Sequence, residues 1–151
     1  MNYMRPSRSD SRENVLSEQR HCTVVCVTTQ PQCERLIKAG RRIADLTGTE
    51  LTVVNVSSPE LSPEDSKALD YLFGVSKKYG ALMSIFYSDD PVRVIVEYLK
   101  ANKAANVITG MPQQKDSVLI QLWKKFTNTK FFTVEANGDL KEVLNSQTHI
   151  A

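Results

Sequence analysis

Cys22-Thr23-Val24-Val25-Cys26-Val27 is a short run that is apolar on both faces of an extended chain. Such a strand belongs in the middle of a parallel sheet covered by helices on both sides, because a half-solvated strand would alternate apolar with polar residues. Directly after it, Gln30-Pro31-Gln32 open a helix in which Leu36, Ile37, Gly40, Ile43 and Ala44 recur at steps of three and four residues, and Thr47-Gly48 closes it. Gly40 falls on the apolar stripe, which predicts close packing of that helix on its neighbour.

The pattern repeats outward from this unit. Glu50 to Val56, rich in Val and Thr, reads as a second strand broken by Ser57-Ser58-Pro59. Ser62-Pro63-Glu64-Asp65 announces a helix, with Ser62 as N-cap, proline at the first helical position and two carboxylates facing the helix dipole. Ala68, Leu69, Leu72, Val75, Ser76 and Tyr79 carry its buried face to Gly80, and Leu82 to Tyr87 supplies a third strand. Asp89-Asp90-Pro91 starts a third helix with Val92, Ile95 and Leu99 on its buried side, and Ala105 to Thr109 makes a fourth strand ending at Gly110. A short fourth helix, capped by Asp116 or Ser117 and packed through Leu119, Leu122, Trp123 and Phe126, leads to a fifth strand, Lys130 to Val134.

The order β-α-β-α-β-α-β-α-β with right-handed crossovers predicts a doubly wound, Rossmann-like α/β fold with a parallel sheet, occupying residues 21–136. Residues 1–20 carry Arg5, Arg8, Arg12 and Arg20 among Ser, Asp and Glu with little to bury, and are expected to form a disordered polar arm. Residues 137–151 are expected to be a tail in which Asn137-Gly138 turns the chain and Leu140, Val143 and Leu144 line a short amphipathic helix.

A length of 151 residues, 41% hydrophobic and 24% charged, suits one core and excludes a multidomain enzyme. Nineteen basic against 17 acidic residues leave a net charge of +2, so nucleic acid is not an expected partner. Cys22, Cys26 and Cys33 are odd in number and lack C-x-x-C spacing, which indicates neither a disulfide framework nor a zinc site and suits a reducing compartment. No run approaches the roughly 18 apolar residues of a membrane span, and Met1 to Arg20 lacks the apolar stretch of a signal peptide. A cytoplasmic protein without a membrane partner is expected.

Doubly wound sheets bind ligands beyond the carboxyl ends of their strands, where the winding reverses. That places a crevice between Thr28 to Gln32 and Gly110 to Ser117. Thr28, Thr29 and Gln30 bring hydroxyl and amide groups to a helix N-terminus able to receive an anion. Gly110, Gln113, Lys115 and Ser117 would face the same crevice, with Lys115 as the cation of that loop. The competing reading of both segments is a helix cap and a solvated connection.

Enzyme motifs are scarce. His21 and His149 lie away from the carboxyl edge, which argues against a histidine general base there, and neither G-x-G-x-x-G nor G-x-x-x-x-G-K-[ST] occurs. Cys33, near the start of the first helix, could act as a nucleophile, but no base or second thiol accompanies it, so a small apolar helix anchor is the favoured reading. Asp89 and Asp90 could do acid-base or metal work, yet Asp90 before Pro91 has a capping role to fill and no second acidic cluster completes a metal shell. A metal site and catalysis are therefore not expected.

Val24-Val25-Cys26-Val27-Thr28, Glu50-Leu51-Thr52-Val53-Val54-Asn55-Val56, Ser88-Asp89-Asp90-Pro91 and Asn106-Val107-Ile108-Thr109-Gly110, taken in order, resemble the universal stress protein superfamily over about His21 to Glu135. Cys33-Glu34-Arg35-Leu36-Ile37 looks closest to the stress-protein domain of Kdp-type potassium sensor kinases. The resemblance implies a five-stranded parallel sheet in the order 3-2-1-4-5, homodimers and, in one branch, ATP at the switch point. That branch carries G-x2-G-x9-G-[ST] after the fourth strand. Gly110 matches its first position, but Gln113 and Trp123 stand where the next glycines would, and Thr28 replaces the acidic residue that ends the first strand in many relatives. Some Kdp-type domains bind a cyclic dinucleotide through hydroxyl-bearing loops, which Thr28-Thr29 loosely resembles.

The expected function is thus a non-catalytic regulatory or signalling module, homodimeric, with a protein partner in stress or potassium signalling and a crevice lacking the full ATP motif. The alternatives are a nucleotide sensor for ATP or a cyclic dinucleotide and, last, a small enzyme using Cys33 or Asp90. For the dimer, Phe131, Phe132, Thr133 and Val134 read as an apolar strand at the open end of the sheet, where an unpaired edge invites a second copy.

Overall fold

β1 (Cys22–Cys26) buries both of its faces, and α1 (Glu34–Thr47), reached through a tight helical turn at Pro31–Cys33, returns the chain to the start of β2 (Glu50–Ser57). The chain continues through α2 (Pro63–Lys78), β3 (Leu82–Tyr87), α3 (Pro91–Ala101), β4 (Ala104–Gly110), α4 (Val118–Lys125), β5 (Lys130–Val134) and β6 (Leu140–Val143). This computed structural model describes residues 21–111 and 118–143, with residues 118, 119 and 123 described by their backbone only. The expected polar arm at residues 1–20 and the expected caps Asp116 and Ser117 lie outside the described residues.

One six-stranded sheet runs in the order β3-β2-β1-β4-β5-β6. β1 is parallel to both neighbours, with Val24 opposite Thr52 of β2 and Val107 of β4, and β5 is parallel to β4. The order 3-2-1-4-5 of the first five strands is as expected, and the winding reverses at β1.

Alternating side chains of the central strands feed two cores. Val25, Val27, Val53 and Ile108 pack against Ile37 and Ile43 of α1 and Leu69 and Leu72 of α2. On the other face Val24, Val54, Val107 and Phe131 pack against Leu99 of α3 and Leu122 of α4. Each fully buried Leu or Ile contributes roughly 1.5–3 kcal/mol of transfer free energy, which is why the helices take their orientation from these stripes. The helix ends follow local chemistry. Ser62 accepts a hydrogen bond from the Asp65 N–H at 3.0 Å, and Gly48 ends α1 in the left-handed conformation, φ 68°.

The sixth strand corrects the expectation of a short helix after Asn137-Gly138. Gly138 turns the chain at φ 94°, Asn137 Oδ1 accepts the Asp139 N–H, and Leu140–Val143 pairs antiparallel with β5. A three-residue spacing of Leu140 and Val143 suits one face of a helix, but it equally puts them on opposite faces of a strand. Leu140 joins the α1 core and Val143 the α3 core. Leu144 lies outside the described residues.

β6 also corrects the dimer edge. Phe131, Phe132, Thr133 and Val134 do not form an open end of the sheet, because each is paired with a β6 residue, and Phe131, Thr133 and Val134 are buried. The outer strands are β3 and β6.

Candidate functional site

The winding reversal puts the ends of β1 and β4 side by side, and the helices that follow them, α1 and α4, pack on opposite faces of the sheet. The end of β1 is firmly anchored. Val27 donates its N–H to the Val54 carbonyl at 3.0 Å, and its own carbonyl accepts from Asn55 Nδ2 at 2.9 Å. Asn55 is 2% exposed, and its Oδ1 accepts the Ser57 hydroxyl at 2.5 Å. Buried polar groups are tolerable only when paired in this way. The loop that carries Thr28, Thr29 and Gln30 therefore departs from a fixed point.

Thr28 and Gln30 are exposed and Thr29 half-buried, so the polar groups expected at this edge do reach it. Thr28 Oγ1 lies 3.5 Å from Cys33 Sγ, and the Gln30 carbonyl accepts the Cys33 N–H at 2.9 Å, which closes the turn into α1. Gln30 makes no side-chain cap to that turn. Gly110 ends β4 opposite Val134 of β5.

Arg35, in the first turn of α1, reaches from that helix to the segment after β5 and lies beside the end of β4. Its Nε donates to the Glu135 carbonyl just beyond β5 at 3.0 Å, and its Nη1 donates to the Gln32 carbonyl at 2.9 Å. Its Nη2 lies 3.9 Å from the point a Cβ on Gly110 would occupy. The guanidinium is thus clamped by two backbone carbonyls at the junction of β1, β4 and β5. A guanidinium has five N–H groups, and these two bonds use only part of that capacity. An oriented, always charged donor set beside a glycine has the chemistry to receive a planar or tetrahedral oxyanion.

No protein-family model matches the sequence, and no curated protein matches it. Among the solved structures that match the fold are two universal stress proteins. A universal stress protein from Archaeoglobus fulgidus is 20% identical, with a TM-score of 0.57 over 72% of this chain and 90% of its own. A universal stress protein in complex with cAMP is 16% identical, with a TM-score of 0.61 over 78% of this chain and 98% of its own. The fold is that of the universal stress proteins. Neither of these two is described as a sensor-kinase domain, and the Kdp-type likeness is read from Cys33-Glu34-Arg35-Leu36-Ile37.

Within this universal stress protein fold, Thr28, Thr29 and Gln30 follow the end of β1, and Gly110 ends the adjacent β4. Gln113, Lys115 and Ser117 lie outside the described residues. Arg35 was not singled out as a site residue by sequence reasoning, because it reads as the polar flank of the Leu36-Ile37 stripe. The available signal was its place in the first turn of the helix that follows the central strand, the one cation between Gln30 and Ile37.

The groups that an enzyme reading would use are otherwise engaged. Cys33 is 5% exposed and packs in the α1 core. Burial pushes the Cys26 thiol up to about 12, and burial followed by the Glu50 charge raises Cys22, so both stay protonated and poorly nucleophilic at neutral pH. Asp90 caps α3 through the Arg93 N–H at 3.3 Å and faces the Arg93 guanidinium at 3.6 Å. Among the described residues no three His, Cys, Asp or Glu side chains converge as metal ligands, and no helix is long and apolar enough to cross a membrane.

Proposed function

We propose that this chain is a non-catalytic regulatory module of the universal stress protein type, whose switch-point crevice binds a nucleotide through its phosphate. The observation that carries the reading is Arg35, clamped by the Glu135 and Gln32 carbonyls beside Gly110 where the sheet winding reverses. Thr28, Thr29 and Gln30 supply neutral donors on the opposite wall, where they would position the sugar or phosphate. The cAMP complex of a protein with the same fold supports a nucleotide as the occupant. A single arginine suits a cyclic or diester phosphate better than a triphosphate, and the Gly-rich loop that a triphosphate needs is interrupted by Gln113 and Trp123. The ligand class is therefore a cyclic mononucleotide or cyclic dinucleotide ahead of ATP.

Linkage gives the test. A ligand that binds only the folded chain, present at a hundredfold its Kd, adds about 2.7 kcal/mol to the unfolding free energy. Urea unfolding with cAMP, cyclic di-AMP or ATP should show that gain with at least one cyclic nucleotide. Unchanged stability with all three would overturn the nucleotide reading and leave an interaction module.

The module would act as a homodimer in the cytoplasm. β5 is sealed by β6, but β3, Leu-Met-Ser-Ile-Phe-Tyr, is an outer strand without a charged residue, and its Leu82 and Tyr87 are 70% and 57% exposed. An uncharged outer strand is an unguarded pairing edge, whereas β6 carries Lys141 and Glu142. Light scattering is expected to give twice the chain mass, returning to the monomer for Leu82→Lys. A monomer for the unaltered chain at high concentration would contradict this.

A further inference from the structure

The opposite, amino-terminal edge of the sheet holds a groove of about 350 Å³ between the end of α3, the start of β4 and the segment entering β5. Its apolar part is formed by Leu99, Ala104 and Phe126, and its basic part by His21, Lys100 and Lys103; no carboxylate lines it among the described residues. The volume falls at the small end of ligand pockets, which run from about 300 to 1,000 Å³.

The basic side is held in place by an unusual backbone. Lys103 has φ 51°, the one positive φ outside glycine among the described residues. Glycine or asparagine would adopt that conformation at lower cost. The left-handed turn aims the Lys103 carbonyl at the start of β1, where it accepts from the Cys22 N–H at 3.2 Å and lies 3.1 Å from His21 Nδ1. A carbonyl can only accept, so Nδ1 carries the proton in this contact, and Nε2 is the second polar atom of the ring. Two lysines and an oriented imidazole thus line a groove whose floor includes Leu99, 1% exposed.

We propose that this groove is a second ligand site, separate from the switch-point crevice, for a small organic anion. Its phosphate or carboxylate would be held by Lys100, Lys103 and His21, and an apolar body about the size of one fused ring pair would lie on Ala104 and Phe126. The charge selects the head group and the apolar floor selects against a bare ion.

The test is an amide NMR titration of the full chain with 1-naphthyl phosphate, with inorganic phosphate and 1-naphthol as separate probes. Saturable shifts are expected at Leu99 to Ala104 and at Phe126 to Thr129, with either fragment alone binding at least about tenfold more weakly, the equivalent of 1.4 kcal/mol. Lys103→Gly removes the charge while suiting the backbone, so the variant should fold at least as well and bind about fivefold more weakly, the weight of one exposed ion pair of about 1 kcal/mol. Lys100→Ala should weaken binding similarly. Unchanged affinity in Lys103→Gly, inorganic phosphate binding as tightly as the naphthyl ester, or shifts confined to Thr28 to Gln30, Arg35 and Gly110 would each overturn the proposal.

Discussion

Gly40→Ala is expected to lower the unfolding free energy by about 2–3 kcal/mol, although alanine is the better helix former by about 1 kcal/mol. The added Cβ would stand 2.4 Å from Val25 Cγ2 of β1 and 3.0 Å from Leu51 Cδ1 of β2. Val25 is fully buried and Leu51 7% exposed, so neither can swing into solvent. Relief requires α1 to lift from the two strands at the centre of the sheet. Interiors are close-packed, and such overpacking costs more than helix propensity returns. Urea denaturation of the two proteins decides the sign. A variant as stable as the parent, or more so, would show that α1 does not approach the sheet this closely.

Asn55→Ala is expected to cost about 2–3 kcal/mol, because it leaves two partners unpaired in a buried place. The Val27 carbonyl loses its 2.9 Å donor and the Ser57 hydroxyl its 2.5 Å acceptor. The same change frees the end of β1, from which the Thr28 to Gln30 loop departs, so it should weaken any crevice ligand as well. Chemical denaturation reads the first effect. A loss below about 0.5 kcal/mol would mean that water replaces the amide and that the loop has no such anchor.

Much of the fold was legible because its signals are local or periodic. Cys22 to Val27 showed no polar face, Leu36, Ile37, Gly40, Ile43 and Ala44 kept a helical step, and Ser62-Pro63-Glu64-Asp65 stated a helix start through its own capping chemistry. The close approach at Gly40 was also readable, since glycine on an apolar stripe needs a packing reason. The β6 strand was not readable. Four residues with apolar groups three apart satisfy either period, and the choice was made by the unpaired outer backbone of β5, a tertiary partner. The dimer edge assigned to Phe131 to Val134 failed for the same reason.

The site was half legible. The topology rule placed Thr28 to Gln30 after β1 and Gly110 at the end of the adjacent β4, because it depends only on strand order. Arg35 escaped because its importance comes from the Glu135 carbonyl, 100 residues away in sequence. No window along the chain can show that contact. The Asn55 anchor was hidden likewise, as an amide in a Val-rich strand shows no partner until β1 lies beside it.

Arg35 is the proposed phosphate receptor of the switch point, and ligand binding there depends on it. Calorimetric titration of cAMP and cyclic di-AMP into the parent chain, Arg35→Gln and Arg35→Lys tests this most directly. The prediction is saturable binding of at least one of them to the parent chain. Arg35→Gln should weaken it by tenfold or more, as the loss of a charge-assisted hydrogen bond of about 1.5–3 kcal/mol requires, with a smaller loss for Arg35→Lys. Equal affinity in all three proteins, or no binding to any of them, would contradict it.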